Sequence, residues 1–185
     1  MKNKIVFLFA IATALALPNS IMAQASGTLT SKASAEIVAP LTIVDNSGLA
    51  GGPTLNFGAM TISATAGSCI LSTSNVRTAS GGVTVVTTSP SSNSSFGITG
   101  KKGATYAITL PATDITITRE GGTETMTVGS LTALPASSVS GDKLTGVLDA
   151  TNGTDTFTVG GTLAVGASQA EGIYNGTFSV TVAYN

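Results

Sequence analysis

The 185-residue sequence contains no histidine and no tryptophan, and it has a single cysteine, Cys69. Without histidine, neither a Ser-His-Asp nor a Cys-His catalytic arrangement can form, and histidine metal sites are excluded. One thiol cannot form an internal disulfide, so we interpret Cys69 as a small buried hydrophobe. The sequence also lacks the Gly-x-Ser-x-Gly and Gly-x-x-x-x-Gly-Lys motifs of hydrolases and nucleotide-binding loops. It therefore predicts a protein that is not an enzyme, with no catalytic residues, no metal and no cofactor.

Charge is also scarce, because only 9% of the residues are charged. The formal net charge is -1, and it becomes -3 if Lys2 and Lys4 are removed with a cleaved leader. A weakly acidic chain is a poor match for nucleic acid, which attracts basic surfaces. Threonine, serine, glycine and valine dominate instead, and this composition favours β-structure over disorder.

The first 25 residues have the pattern of a secretory signal peptide. A basic start at Met1 to Lys4 precedes an uncharged apolar run from Ile5 to Leu17, and small residues follow at Ala23 and Ala25. The run is too short to span a bilayer comfortably. We therefore expect cleavage after Ala23 or Ala25 and no integral membrane span afterwards. The mature chain should reach the periplasm, the cell surface or the medium, and residues 26–185 should form one domain.

The mature chain is predicted to be a succession of short strands separated by turn signals. Such spacing is typical of an all-β protein, and we favour an immunoglobulin-like β-sandwich. Glycine-containing turns at 100–103, 121–122 and 160–161 predict hairpins, and the less regular residues 131–142 are interpreted as a crossing between sheets. The predicted strands are 28–39, 41–44, 55–58, 69–71, 83–86, 95–99, 105–110, 115–118, 125–128, 157–159, 163–165 and 178–184.

The last stretch organises this interpretation. Phe178, Val180, Val182 and Tyr184 alternate with small or polar residues, which predicts a strand with one apolar and one polar face. No later segment in the sequence is available to cover its backbone edge. An uncovered edge with an apolar face favours pairing with another strand.

The segment 28–39 has the matching alternation. Leu29, Ala33, Ala35 and Ile37 share one face with Ala39, and polar residues dominate the other. Two interpretations remain open. The segment is either a donor strand for a neighbouring molecule or the first strand of a sandwich that it completes within its own chain.

The run from Asp149 to Asp155 is rich in oxygen-bearing side chains, but it lacks the ligand spacing of an EF-hand. Because Asn152-Gly153 is a strong turn signal in its own right, a turn is the preferred interpretation and calcium binding the minor one.

Tyr174 lies in Gly172-Ile173-Tyr174-Asn175-Gly176. We predict a corner tyrosine, whose hydroxyl bonds back to the main chain of a sandwich, in preference to a ligand-binding aromatic.

The C-terminus resembles the assembly motif of chaperone–usher pilin subunits. That motif has a penultimate tyrosine, alternating apolar residues before it and a glycine fourteen places from the end. In this sequence the corresponding residues are Gly172, Phe178, Val180, Val182 and Tyr184. The resemblance implies a pilin-like sandwich that lacks its final strand, filled by the N-terminal extension of a neighbouring subunit. It also implies a periplasmic chaperone that protects the open subunit.

A second resemblance covers nearly the whole mature chain. It is to a family of secreted bacterial proteins, described as a domain of unknown function and related to spore coat protein U. The segments that carry it are 55–58, 96–100, 160–163 and 172–178.

The predicted function is a structural subunit of a bacterial surface appendage or coat, of fimbrial type, with adhesion as its context. Its expected partners are like subunits or a periplasmic chaperone, joined by strand addition. The alternative is a monomeric secreted module that binds carbohydrate or calcium. The absence of tryptophan weakens the carbohydrate version, since sugar sites favour large aromatic platforms.

Overall fold

The computed structural model describes residues 27–47, 55–138 and 144–185. The predicted signal peptide, residues 1–25, lies outside the described residues. The described part contains eleven β-strands and no helix, so the predicted all-β fold is confirmed. Consequently no helix there is long and apolar enough to cross a membrane. The chain divides into two compact units, Met1–Glu36 and Ile37–Asn185, and every strand belongs to the second.

Three strands have eleven or twelve residues, which is longer than the short strands predicted, and the others have two to nine. In chain order the strands are β1 Thr42–Asp45, β2 Met60–Leu71, β3 Arg77–Val85, β4 Ser94–Thr99, β5 Thr105–Thr109, β6 Ile115–Arg119, β7 Thr125–Pro135, β8 Thr145–Val147, β9 Thr154–Val165, β10 Tyr174–Asn175 and β11 Thr181–Tyr184.

Two antiparallel sheets form the second unit. The larger has eight strands in the order β1-β4-β9-β7-β6-β10, with β2 joined to β9 and β3 joined to β2. The smaller has three strands in the order β11-β5-β8. Apolar residues from both sheets meet in a shared core, which makes the domain a β-sandwich.

The long strand β9 corrects one prediction. A turn was expected at Gly160 and Gly161, but β9 runs through both glycines without a break. On one side β9 pairs with β4 up to Val159 and then with β2 from Gly161 onward. A Cβ atom at Gly160 would lie 2.4 Å from the carbonyl oxygen of Leu71, at the end of β2. Gly160 therefore permits close backbone approach, a role that a sequence pattern does not distinguish from a turn.

The hairpin predicted at residues 100–103 is also wrong. β4 and β5, on either side of it, belong to different sheets, so this turn carries the chain from one layer to the other. Ile98 on β4 and Tyr106 on β5 are buried in the same core cluster. Both strands thus direct apolar side chains inward. Their alternation of apolar and polar residues is the same as that of two strands paired in a hairpin.

The hairpin at Gly121-Gly122 is confirmed, since β6 and β7 pair across it and Gly121 has φ +71°. β7 continues to Pro135, and β8 lies in the other sheet. The expected crossing between sheets therefore falls after Pro135, where residues 139–143 are outside the described residues.

The strand predicted at 55–58 is only an isolated bridge between Asn56 and Ser92. The guanidinium of Arg77 donates to the carbonyl oxygens of Phe57 and Ala59 at 3.0 and 3.4 Å, and to those of Val86 and Ser89 at 2.9 and 3.0 Å. One guanidinium thus binds four main-chain carbonyls around residues 57–59 and 86–89. This contact could not be expected from alternation alone.

The strand predicted at 28–39 is not formed. Residues 27–40 are described and carry no strand. Alternation indicates which face of a strand would be apolar, but a strand also needs a partner for its backbone N–H and C=O groups. The interpretation of this segment as the first strand of its own sandwich therefore receives no support from the described chain.

The core consists of two clusters that share Leu131. The first joins both sheets and contains Phe96, Ile98, Tyr106, Ile108, Ala133, Leu148, Phe157 and Val159. Its Phe96 and Phe157 rings stack at a centroid distance of 4.8 Å. The second contains Phe57, Cys69, Leu71, Val83, Val128, Leu163 and Val165. Cys69 is fully buried, as expected. Burial raises the pKa of its thiol, and the nearby charge of Arg77 offsets only part of that rise.

Candidate functional site: an open apolar groove

The C-terminal stretch places its apolar side chains on one face. Phe178, Val180, Val182 and Tyr184 are half-buried and pack against the first core cluster, whereas the residues between them are exposed. Only Thr181–Tyr184 of this stretch is a strand, β11, and it pairs with β5. The alternation read from the sequence therefore coincides with the orientation of these side chains.

The backbone of β11 has one unpaired edge. The N–H of Asn185 donates to the carbonyl of Thr105 at 3.2 Å, and the register pairs Tyr184 with Tyr106. Because hydrogen-bonded pairs alternate along an antiparallel ladder, Val182 and Tyr184 direct their N–H and C=O groups away from β5. Within the described chain, no strand lies against that edge.

The first strand, β1, lies at the end of the larger sheet, and no strand among the described residues pairs with its outer edge. Ile43 lies directly opposite Ile98, which is buried in the first core cluster, so Ile43 is on the core-facing side. It is nevertheless 36% exposed. The N–H of Asn46 donates to Ser95 at 3.1 Å, and the same alternation directs the main-chain groups of Ile43 away from β4.

These two edges border what we call the open groove. Its lining is apolar, and it exposes core-facing side chains beside backbone groups that no described strand pairs. The groove is lined by Leu41, Ile43, Phe178, Val180, Val182 and Tyr184.

The Tyr184 hydroxyl links β11 to the chain that leads into β1. Its hydroxyl accepts a hydrogen bond from the N–H of Lys101 at 2.6 Å and donates one to the carbonyl of Ala39 at 2.9 Å. A Cβ atom at Gly100 would lie 2.3 Å from this hydroxyl oxygen and 2.9 Å from Cδ1 of Leu41. β1 begins near this contact and β11 finishes there, so the two bordering strands run in opposite directions.

Gly172 and Tyr174 lie away from the groove, beside β6. Gly172 has φ +147° and contacts Arg119, whose Nε donates to the carbonyl of Glu171 at 2.7 Å. The hydroxyl of Tyr174 donates to the carbonyl of Ala170 at 2.7 Å. Tyr174 thus binds the main chain four residues before it.

The candidate donor residues are exposed to solvent. Leu29 is 97% exposed and Ile37 is 99% exposed, and Ala33 and Ala35 are exposed as well. These four residues lie in the strandless stretch 27–40, where no packing covers their shared apolar face.

The oxygen-rich loop does not bring its two carboxylates together. Asp149 accepts hydrogen bonds from the N–H groups of Asn152 and Thr151 at 2.9 and 2.8 Å, and these bonds lower its pKa. Asp155 instead accepts from the hydroxyl of Tyr106 at 2.7 Å. In the part of the chain that the structure describes, no group of three or more carboxylate, thiol or imidazole side chains is arranged to hold a metal.

The contact between Tyr106 and Asp155 belongs to a network that the sequence did not predict. The hydroxyl of Ser137 also donates to Asp155, and it accepts the N–H of Val147 at 2.9 Å. Burial, and then the bond to Asp155, raises the pKa of Tyr106. The network joins β5, β8 and β9. Its only signal in the sequence was the acidic residue Asp155, which lies two positions before the apolar Phe157 of a predicted strand.

The fold and the groove together define a class: an all-β sandwich that leaves two strand edges unpaired beside an exposed part of its core. The chain belongs to the family described as Domain of unknown function (DUF4402), whose model matches residues 41–184. No curated protein and no solved structure matches the chain. The prediction of a domain-of-unknown-function family is thereby confirmed.

Proposed function

We propose that this protein is a non-enzymatic structural subunit of an exported bacterial surface appendage or coat, and that it assembles by β-strand addition. The partner is a like subunit, or a periplasmic chaperone before assembly. The fimbrial character and the link to spore coat protein U rest on the resemblances noted above.

The open groove is the observation that carries this proposal. A side chain that faces the core but is 36% exposed, as Ile43 is, gains further burial when a strand covers it. The unpaired N–H and C=O groups of Ile43 and Val182 supply hydrogen bonds to that strand. Backbone bonds then provide affinity, and alternate side chains set the register.

The segment 28–39 has the chemistry of the occupant. Its exposed Leu29 and Ile37 would contribute about 1.5–3 kcal/mol each on full burial. Their combined contribution is comparable with the low end of a domain's net stability, which is about 5–15 kcal/mol. A subunit without its partner strand would therefore be less stable and prone to aggregate, which accounts for a chaperone.

Assembly of the mature chain, residues 26–185, tests the proposal. We expect polymers that resist dissociation in sedimentation velocity, and we expect them to disappear when residues 26–39 are deleted. Ala35→Asp should also prevent polymerisation, because it places a charge on the apolar face of the segment. Ser34→Asp is the matched control on the opposite face and should polymerise normally. A folded monomer that ignores the deletion would refute the proposal.

A further inference from the structure

The hydroxyl of Tyr184 is bound on both sides by main-chain groups. It accepts from the N–H of Lys101 at 2.6 Å and donates to the carbonyl of Ala39 at 2.9 Å. Main-chain partners hold a hydroxyl in a position that does not depend on the rotamers of other side chains. The contact therefore ties the end of β11 to Ala39, three residues before the start of β1.

We call the Tyr184 hydroxyl and its two main-chain partners the node, and little free volume surrounds it. A Cβ atom at Gly100 would lie 2.3 Å from the Tyr184 hydroxyl and 2.9 Å from the side chains of Leu41 and Leu148. Hence any residue with a side chain at position 100 would displace the node. Because Gly100 has no side chain, the Tyr184 hydroxyl can occupy the space at this end.

The node also removes the backbone groups that a longer strand would need. The carbonyl of Ala39 is already occupied by Tyr184, and Pro40 has no N–H to donate. Val182 and Tyr184, in contrast, have main-chain groups that point to the unpaired edge. A strand in the groove therefore finds bonding partners on β11 at Val182 and Tyr184, whereas on the opposite border Pro40 offers it no N–H.

We infer that Tyr184 is a positioning residue that fixes the register of the added strand by blocking the groove at the Ala39 end. This inference rests on the proposed function, because it needs a strand in the open groove. A stop at one end matters here, since an alternating strand can slip by two residues and keep the same side chains facing inward.

Cysteine mapping tests the inference. The mature chain carries Cys69→Ala and Ala35→Asp, the second of which prevents its own segment 28–39 from filling a neighbouring groove. In this chain Thr181→Cys puts a thiol on the outer face of β11, and the main-chain groups of Thr181 point to β5. Opposite an antiparallel strand this is a non-hydrogen-bonded position, with a Cα separation of about 4.5 Å that permits a disulfide. Synthetic peptides with the sequence of residues 28–39, each carrying one cysteine at a successive position, then report the register by disulfide yield.

With tyrosine at position 184 we expect one dominant peptide position. Tyr184→Phe keeps the ring but loses both hydrogen bonds, and the yield should spread to positions two residues away. Tyr174→Phe is the matched control, because it also removes a hydroxyl bonded to a main-chain carbonyl, and its yield should keep the single position. An unchanged single position in folded Tyr184→Phe overturns the inference and leaves strand addition standing. If no peptide couples to any of the proteins, both the inference and the proposed function fail.

Discussion

A pair of neighbouring substitutions on β1 separates the groove from the surface around it. Ile43 faces the open groove and is 36% exposed, whereas Val44 is on the opposite face, beside Gly97, and is 57% exposed. Ile43→Asp and Val44→Asp add the same charge, to the same strand, one residue apart. We expect the first to prevent assembly and the second to leave it intact.

The magnitudes follow from what each side chain loses. In the isolated subunit, Ile43→Asp forfeits the buried part of one aliphatic side chain, a cost of about 1–2 kcal/mol. Val44 is more exposed and smaller, so its replacement should cost less than about 1 kcal/mol. Once a strand covers the groove, the carboxylate at position 43 is desolvated without a partner, at a cost of several kcal/mol. A penalty of about 3 kcal/mol weakens assembly by roughly a hundredfold.

Sedimentation velocity gives the polymer fraction, and thermal unfolding of the monomeric fraction gives the cost within the subunit. Ile43→Asp should be folded, slightly less stable and monomeric. Val44→Asp should be folded and polymeric at the same concentration. Equal loss of polymers in both variants would refute the assignment of Ile43 to the groove, and so would normal polymers from folded Ile43→Asp.

Four further predictions concern the fold. Gly160→Ala should destabilise the protein by about 1–3 kcal/mol in chemical denaturation, because the new methyl group collides with a main-chain oxygen; an unchanged midpoint would contradict the close approach. Arg77→Lys should cost about 2–4 kcal/mol, since an ammonium cannot serve four carbonyls at once, and a neutral result would mean that the clamp is dispensable. The thiol of Cys69 should react with a thiol reagent only after unfolding, and rapid reaction in the native protein would disprove its burial. Asp149 has a lowered pKa in the folded state, so its stabilising effect is present above the ordinary value of 3.8 and is lost as the pH falls through the folded value. The melting temperature of Asp149→Asn should accordingly lie below that of the parent at about pH 6 and approach it near pH 3, and a constant difference would argue against the charge.

Alternation along the chain was sufficient to predict the class of the fold and the orientation of the C-terminal side chains. On β11, Val182 and Tyr184 face the core because successive strand residues point to opposite sides, a property of the backbone itself. The same rule predicted β4 and β5 but not their separation into two sheets. Alternation reports which side of a strand is buried and contains no information about which strand lies beside it.

Glycine caused the wrong turn prediction inside β9, because glycine serves both in turns and at close contacts between strands. Gly121 allows a positive φ in a turn, and its hairpin was predicted correctly. Gly160 sits inside β9, where β4 gives way to β2, and its role is to leave space for the end of β2. That need arises from a strand some ninety residues earlier in the sequence, so no local pattern could reveal it.

Half of the candidate site could be anticipated. The C-terminal border of the groove was visible as an alternating strand, but the other border was not. β1 is only four residues long, and its sequence does not tell which of Ile43 and Val44 faces inward. The pairing of Ile43 with Ile98 settles that question, and pairing is a long-range property. The Tyr184 contact with Ala39 joins residues that are still further apart in the sequence, by 145 positions.

The division of the core has a consequence for the timing of assembly. The second cluster is enclosed by β2, β3, β6, β7 and β9, and none of its members borders the groove. The second cluster therefore needs no added strand to cover it, whereas the first cluster, which contains Phe96 and Phe157, borders the open groove. Under the proposed function, a subunit that has not yet assembled therefore has one well-packed region around the second cluster and one incompletely covered region around the first. Amide exchange should be slow around Cys69 from the outset and should slow around Ile98 only upon joining a neighbour.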